Sequence, residues 1–224
     1  IDCYRQCPLK HDWTYKGCWQ PPETSPALAK GTLWHLVLEK HYDYLKMCQD
    51  GGMEPDAKHL HRLIAPILYN ERGDYKEEHS ELIEWMYQGY LQMYPIREEI
   101  REWKILAVEH AFEFWLPTAR GTRSNYKVRM KLDLVVQDLM KRIWLVDHKS
   151  GKDLPNDKML ELDPQFSLYT WGLRKAGKKI YGQLHDAART LKYKDENKPQ
   201  PLEERFRRTM MYRTEEQLQQ IAVD

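Results

Sequence analysis

Lys131-Leu132-Asp133-Leu134-Val135-Val136 and Val146-Asp147-His148-Lys149-Ser150-Gly151-Lys152 are the stretches on which the fold turns. Each is a short apolar run carrying a carboxylate, and the turn-like Gln137-Asp138-Leu139-Met140-Lys141-Arg142 separates them. That pattern predicts two neighbouring strands, Tyr126 to Val136 and Ile143 to Asp147. Asp147 and Lys149 are two apart, so on a strand both side chains leave the same face. If the strands pair through the turn, Asp133 and Asp147 converge at one end of a sheet, with Lys149 beside them. Two close carboxylates repel unless a cation lies between them, and oxygen donors of this kind suit Mg²⁺ or Mn²⁺. A single D-x-K is common, and a surface ion pair on a hairpin satisfies it equally well. The apolar strand around Asp133 is what raises this pair above chance.

Outward from this pair, Ile105 to Leu116 also alternates in polarity and predicts a strand. Upstream the period changes to helical. Ser25 as cap and Pro26 in the first turn open a helix whose Leu33, Val37, Leu38 and Leu45 share a face and which stops near Gly51-Gly52. A second helix is predicted over Pro55 to Tyr69. A long acidic third runs from Glu77 to Tyr94, with Leu82, Ile83, Met86, Tyr90 and Met93 on one face. Downstream, a loop over Ser150 to Asp157 leads to a helix from Lys158 to Ala176, a strand at Ile180 to Leu184, a loop at Lys192 to Pro201 and a short helix at Thr214 to Ala222. Helices, then a meander of strands, then helix and strand predict an α/β (α+β) chain. Ile1 to Pro22 reads as a Cys-containing loop.

The 224 residues, 42% of them hydrophobic, suffice for one core, and no apolar window is long enough to span a membrane. The net charge of +1 hides segregation. Glu71 to Glu113 holds eleven acids against five bases, Phe114 to Lys152 nine bases against three acids, and Arg174 to Arg213 twelve bases against five acids. Basic and acidic halves fit a phosphate-binding face, although on charge alone a solvated face beside an acidic amphipathic helix reads slightly better. Arg120, Arg123, Lys127, Arg129 and Lys131, and the run Arg174 to Lys179, are the candidate phosphate contacts, and the first five read equally as the solvated face of a strand pair. The four cysteines, Cys3, Cys7, Cys18 and Cys48, match no trusted zinc spacing and read as reduced thiols. Opening at Ile1 rather than Met is expected of a fragment.

Leu132-Asp133 followed by Asp147-His148-Lys149 resembles the PD-(D/E)xK nuclease signature, with Leu in place of the Pro. Gly31-Thr32-Leu33-Trp34-His35 resembles the G-x-x-x-H motif of its RecB-like branch, and Gln165-Phe166-Ser167-Leu168-Tyr169 its Q-x-x-x-Y motif. Val108-Glu109 with Phe112 resembles the acidic strand upstream of the catalytic Asp, and Cys7-Pro8 the Cys-Pro element near the start. The resemblance runs from about Cys7 to Tyr181. It implies a restriction-endonuclease-like mixed sheet flanked by helices, a single domain over 1–224 with a helical lobe at about 23–100 and the catalytic sheet and helix at about 101–190. It implies catalytic roles for Asp133, Asp147, Lys149, Gln165 and Tyr169, and a metal held by His35, Glu109, Asp133 and Asp147. The implied activity is a Mg²⁺- or Mn²⁺-dependent DNA exonuclease of a bacterial or phage-infected cytoplasm. The alternatives are an idle DNA-binding scaffold or a site-specific endonuclease. Iron–sulfur members, including the CRISPR-associated adaptation nucleases, use three late cysteines, so a cluster requires ligands beyond Asp224. His148 is expected to face away from the site, and Trp171, beyond Gln165 and Tyr169, is a candidate for stacking on a base.

Overall fold

The computed structural model describes residues 7, 9, 12–17, 25–69, 75–117, 122–161, 163–193 and 198–221. Cys3, Pro8, Cys18 and Arg120 lie outside them. Helix α1 (Pro26–Gly51) begins as expected: the Ser25 hydroxyl accepts from Leu28 N at 3.3 Å, and Pro26 needs no acceptor there. It ends at Gly52, whose φ of +61° suits glycine, while Met53 N donates to Cys48 O at 2.8 Å. Cys48 is fully buried. Leu33, Trp34, Val37, Leu38, Tyr42 and Leu45 recur every three or four residues and pack against α2 (Ala57–Leu68) and α3 (Glu77–Met93).

A short helix that the sequence reading did not anticipate, α4 (Ile96–Glu102), follows Pro95 and delivers the chain to the sheet. The sheet has the order β1 (Trp103–Pro117), β2 (Arg123–Asp138), β3 (Ile143–Gly151), β4 (Ile180–Arg189), β5 (Phe206–Met211). Only β3 and β4 are parallel, so the sheet is mixed. Their crossover carries α5 (Asp157–Glu161) and α6 (Pro164–Lys175), and α7 (Glu215–Ile221) packs beside α6.

The expected single helix from Lys158 to Ala176 is two helices. Pro164 cannot donate into a continuous helix, and Asp163 restarts it by accepting from Gln165 N at 2.8 Å. Strands β3 and β4 run further than expected because their parallel pairing continues to Gly151 and Arg189. Strand β5 was not predicted at all: Arg207 and Arg208 disguise it as loop. One sheet face carries Ile105, Leu134, Val136, Trp144, Val146 and Leu184 against α1 and α3. The other carries Leu132, Leu145 and Ile180 against Leu173 of α6. Among the described residues no helix is long and apolar enough to cross a membrane.

Candidate active site at a fork in the sheet

The β2–β3 ladder ends where Leu134 faces Val146. Beyond it β2 continues with β1, and β3 continues with β4, so the sheet forks. Asp133 and Asp147 are the first residues past the fork. The backbone N–H of His148 has lost its ladder acceptor there, and the Asp133 carboxylate takes it, Oδ2 accepting at 2.8 Å. Strand β1 bulges between Ile105 and Ala107, and Glu109 follows with φ +48°. A non-glycine residue in the left-handed region is strained, and such strain concentrates at functional positions. Glu109 lies beside Asp133, its neighbours pairing with Leu134 and Leu132.

Helix α1 brings His35 over the fork, with Nδ1 3.6 Å from Asp133 Oδ2. One ligand atom each from His35, Glu109 and Asp133 lies within 4.8 Å of the other two. Burial is the main reason the His35 pKa is lowered, so its ring is neutral and offers a lone pair at pH 7. The Lys131 ammonium pairs with Glu109; being largely exposed, it can swing aside for a cation.

Asp147 sits apart from that triad, buried under the start of α6. Its Oδ1 accepts from Lys149 Nζ at 3.1 Å and from Gln165 Nε2 at 3.2 Å. Oδ2 is 3.0 Å from the same ammonium but without hydrogen-bond geometry, and so is a buried acceptor left unsatisfied. Gln165 Nε2 also donates to Tyr169 OH at 3.0 Å, one turn on. Burial pushes the Asp147 carboxyl up to about 6; Lys149 counteracts this and the Asp133 charge adds to it. Burial also works against the Lys149 charge, but Asp147 outweighs it and the pKa is raised. Lysine therefore stays an ammonium. Three carboxylates, one of them with an unsatisfied buried oxygen, and one neutral imidazole form a hard, oxygen-rich donor set. It fits Mg²⁺ or Mn²⁺.

The structure thus brings His35, Glu109 and Asp133 together, and separately joins Asp147, Lys149, Gln165 and Tyr169. It does not place Asp147 within the compact triad. One expectation needs correction. Trp171 is buried against Phe114, ring centroids 5.5 Å apart, and has no face for a base. Lys127, Arg129 and Lys131 pair with Glu113 or Glu109 across the β1–β2 ribbon, and the side chain of Arg123 is outside the described part. Arg174 pairs with Glu215 and donates to Ile180 O, and the run through Lys179 leads into the start of β4, the end of the sheet away from the fork.

Sequence reasoning missed three features. The His148 side chain lies on the other sheet face from Asp147 and Lys149 but not clear of the site: its ring is edge-on to His35, centroids 6.4 Å apart, its N–H holds Asp133, and the ring is fixed by Asp186 Oδ2 at 3.0 Å and stacked on Tyr42. His185, in register with Asp147 on β4, is buried and pushed down to about 4 by desolvation first and by Lys149. Behind both lies a buried cluster in which Arg208 donates to Glu99, Tyr42 and Tyr90. A D-x-K on a strand does reveal an unpaired N–H at its middle residue, once the ladder's end is known; nothing local signals Arg208.

A forked mixed sheet with helices on both faces and acids at the fork defines a restriction-endonuclease-like fold. The sequence profile of the PD-(D/E)XK nuclease superfamily matches residues 1–223, and the chain belongs to that superfamily. Among curated proteins no match to the chain is found.

Proposed function

We propose that this protein is a metal-dependent DNA nuclease of the RecB-like branch, acting as one catalytic unit and as an exonuclease in DNA recombination, repair or processing. The observation that carries this reading is the fork itself, with the His35–Glu109–Asp133 triad next to the Asp147–Lys149 pair. His35, Glu109 and Asp133 would hold the cation, with Asp147 completing its oxygen ligands through the unsatisfied Oδ2. A bound Mg²⁺ or Mn²⁺ supplies positive charge to a phosphate oxygen and acidifies a water. Lys149 donates toward the charge that gathers on the phosphoryl oxygens. Gln165 keeps Asp147 Oδ1 turned toward Lys149, and its second N–H orients the Tyr169 hydroxyl. The contact from Gln165 to Asp147 and the position of His35 over Asp133 support the RecB-like assignment over a site-specific endonuclease.

The test uses end-labelled linear and circular DNA, single- and double-stranded, with Mg²⁺, Mn²⁺ or EDTA. Linear DNA should be degraded from its ends only with the cation. Asp133→Ala, Asp147→Ala and Lys149→Ala should each lower the rate on the order of 100-fold or more. Mn²⁺ affinity should fall roughly 10- to 100-fold in His35→Ala. Near wild-type turnover in any of the first three variants would overturn the assignment, and cleavage of circles would overturn the exonuclease part.

A further inference from the structure

A second cluster of cations lies at the same end of the sheet as the fork, on the opposite side of β4. An open cavity of about 370 Å³ is lined by Trp85 of α3 and by Lys192, Tyr193, Lys198, Gln200 and Arg205 of the β4–β5 connection. It is joined to the fork through the backbone. Lys149 leads to Gly151, whose carbonyl accepts from Thr190 N at 2.7 Å, and Arg189 N donates to Arg205 O at 2.7 Å.

The three cations are held by rings rather than by acids. The Arg205 guanidinium lies 3.8 Å over Trp85 and Lys192 Nζ 5.1 Å from the same ring, while Lys198 Nζ is 5.2 Å from the Tyr193 ring. None of the three makes an ion pair among the described residues; the nearby Glu204 accepts from Tyr193 OH instead. Arg205 is only 8% exposed, yet among the described residues its side chain makes one hydrogen bond, to Trp85 O at 2.8 Å, and its Nε has no partner. A buried guanidinium without a counter-ion is costly unless an anion visits it. Helix α3 makes room for it: a Cβ at Gly89, one turn after Trp85, would fall on the guanidinium. Because the aromatic faces already carry cations, the cavity suits an anionic group and not a stacked base.

We infer that this cavity binds a phosphate group of a nucleic-acid strand whose scissile bond lies at the fork. Phosphate is the tetrahedral anion that three converging N–H cations match. A strand is favoured over a free phosphate or mononucleotide because the cavity is open and lies at the fork's end of the sheet, where backbone hydrogen bonds link Gly151 to Thr190 and Arg189 to Arg205. The inference rests on the nucleic-acid reading of the chain but not on any catalytic role at the fork.

Binding is therefore measured in EDTA, where cleavage plays no part. Anisotropy of a short labelled single-stranded oligodeoxynucleotide is followed across a salt series, and inorganic phosphate is titrated calorimetrically. Lys192 and Lys198 are exposed, so Lys192→Ala/Lys198→Ala should fold normally and bind Mn²⁺ at the fork as wild type does. It should weaken oligonucleotide binding about tenfold or more, and flatten the log–log salt slope by roughly 0.7, the value for one phosphate contact on a single strand. Gly89→Ala, which displaces the guanidinium, should act in the same direction. Loss of inorganic-phosphate binding with an unchanged oligonucleotide slope would overturn the strand and leave a small-anion site. Unchanged binding of both probes would overturn the site altogether.

Discussion

Asp147 carries a desolvation cost. Its carboxyl is pushed up to about 6 mainly by burial. Between the ordinary carboxylate range and that value, the native state keeps a proton that the unfolded chain has released. Folding stability from this group is therefore full at low pH, falls as pH rises through about 4 to 6, and stays reduced above. Each unit of displacement is worth about 1.4 kcal/mol. In EDTA, Asp147→Asn should then be more stable than wild type by on the order of 2 kcal/mol at pH 8, with the two converging below pH 4. Urea midpoints across pH measure this. A difference that does not change with pH would mean that the carboxylate is not desolvated. Added cation should reverse the order, because only the wild type gains a ligand.

Helix α6 positions Gln165 and Tyr169, and its approach to the sheet depends on Gly172. A Cβ there would fall on the Phe114 ring and lie 2.9 Å from the Met130 methyl. Gly→Ala in a helix interior gains about 1 kcal/mol from propensity, whereas overpacking a core costs about 1–3 kcal/mol. Packing wins, and Gly172→Ala should lose roughly 1–2 kcal/mol in a urea melt; a neutral or stabilising result would place α6 further from β1 and β2. Elements of this kind were legible where periodicity is local. Alternation exposed β1 and β2, a short apolar run exposed β3, and Ser25-Pro26 marked the start of α1 to the residue. Strand β5 was not legible, because Arg207 and Arg208 look solvated until Asp157 is known to pair with the first and Glu99 and Asp186 to lie opposite the second. The site divides in the same way. Asp147 and Lys149 follow from a spacing of two on one strand. His35 and Glu109 come from elements far apart in sequence, so only the resemblance to a family pointed to them. The His148 N–H depends on where a ladder stops, which is a property of pairing and not of residue type.

At the scale of the whole molecule, one buried charge cluster ties the helical lobe to the sheet and reaches the fork. Arg208 of β5 donates to both Glu99 oxygens, at 2.6 and 2.9 Å, and its Nε is 3.3 Å from Asp186 Oδ1. Tyr42 of α1 and Tyr90 of α3 bond to each other at 2.8 Å, and Tyr90 donates to Asp186 Oδ2 at 2.6 Å. Burial alone would raise the Asp186 pKa, but Arg208 and the His148 hydrogen bond hold it well below the usual carboxylate range. Asp186 in turn fixes the His148 ring, and His148 N–H holds Asp133. Removing the one cation leaves two carboxylates buried without compensation, which costs about 3–5 kcal/mol when a buried pair is broken. Arg208→Met should therefore destabilise by that amount in chemical denaturation. Glu99→Gln keeps the shape and removes only one charge, so it should cost less. Any folded fraction of Arg208→Met should also bind Mn²⁺ more weakly than wild type, because His148 no longer sits against a fixed Asp186. Loss of stability with unchanged Mn²⁺ affinity would mean that the cluster holds the lobe to the sheet but leaves Asp133 to be placed by the strands alone.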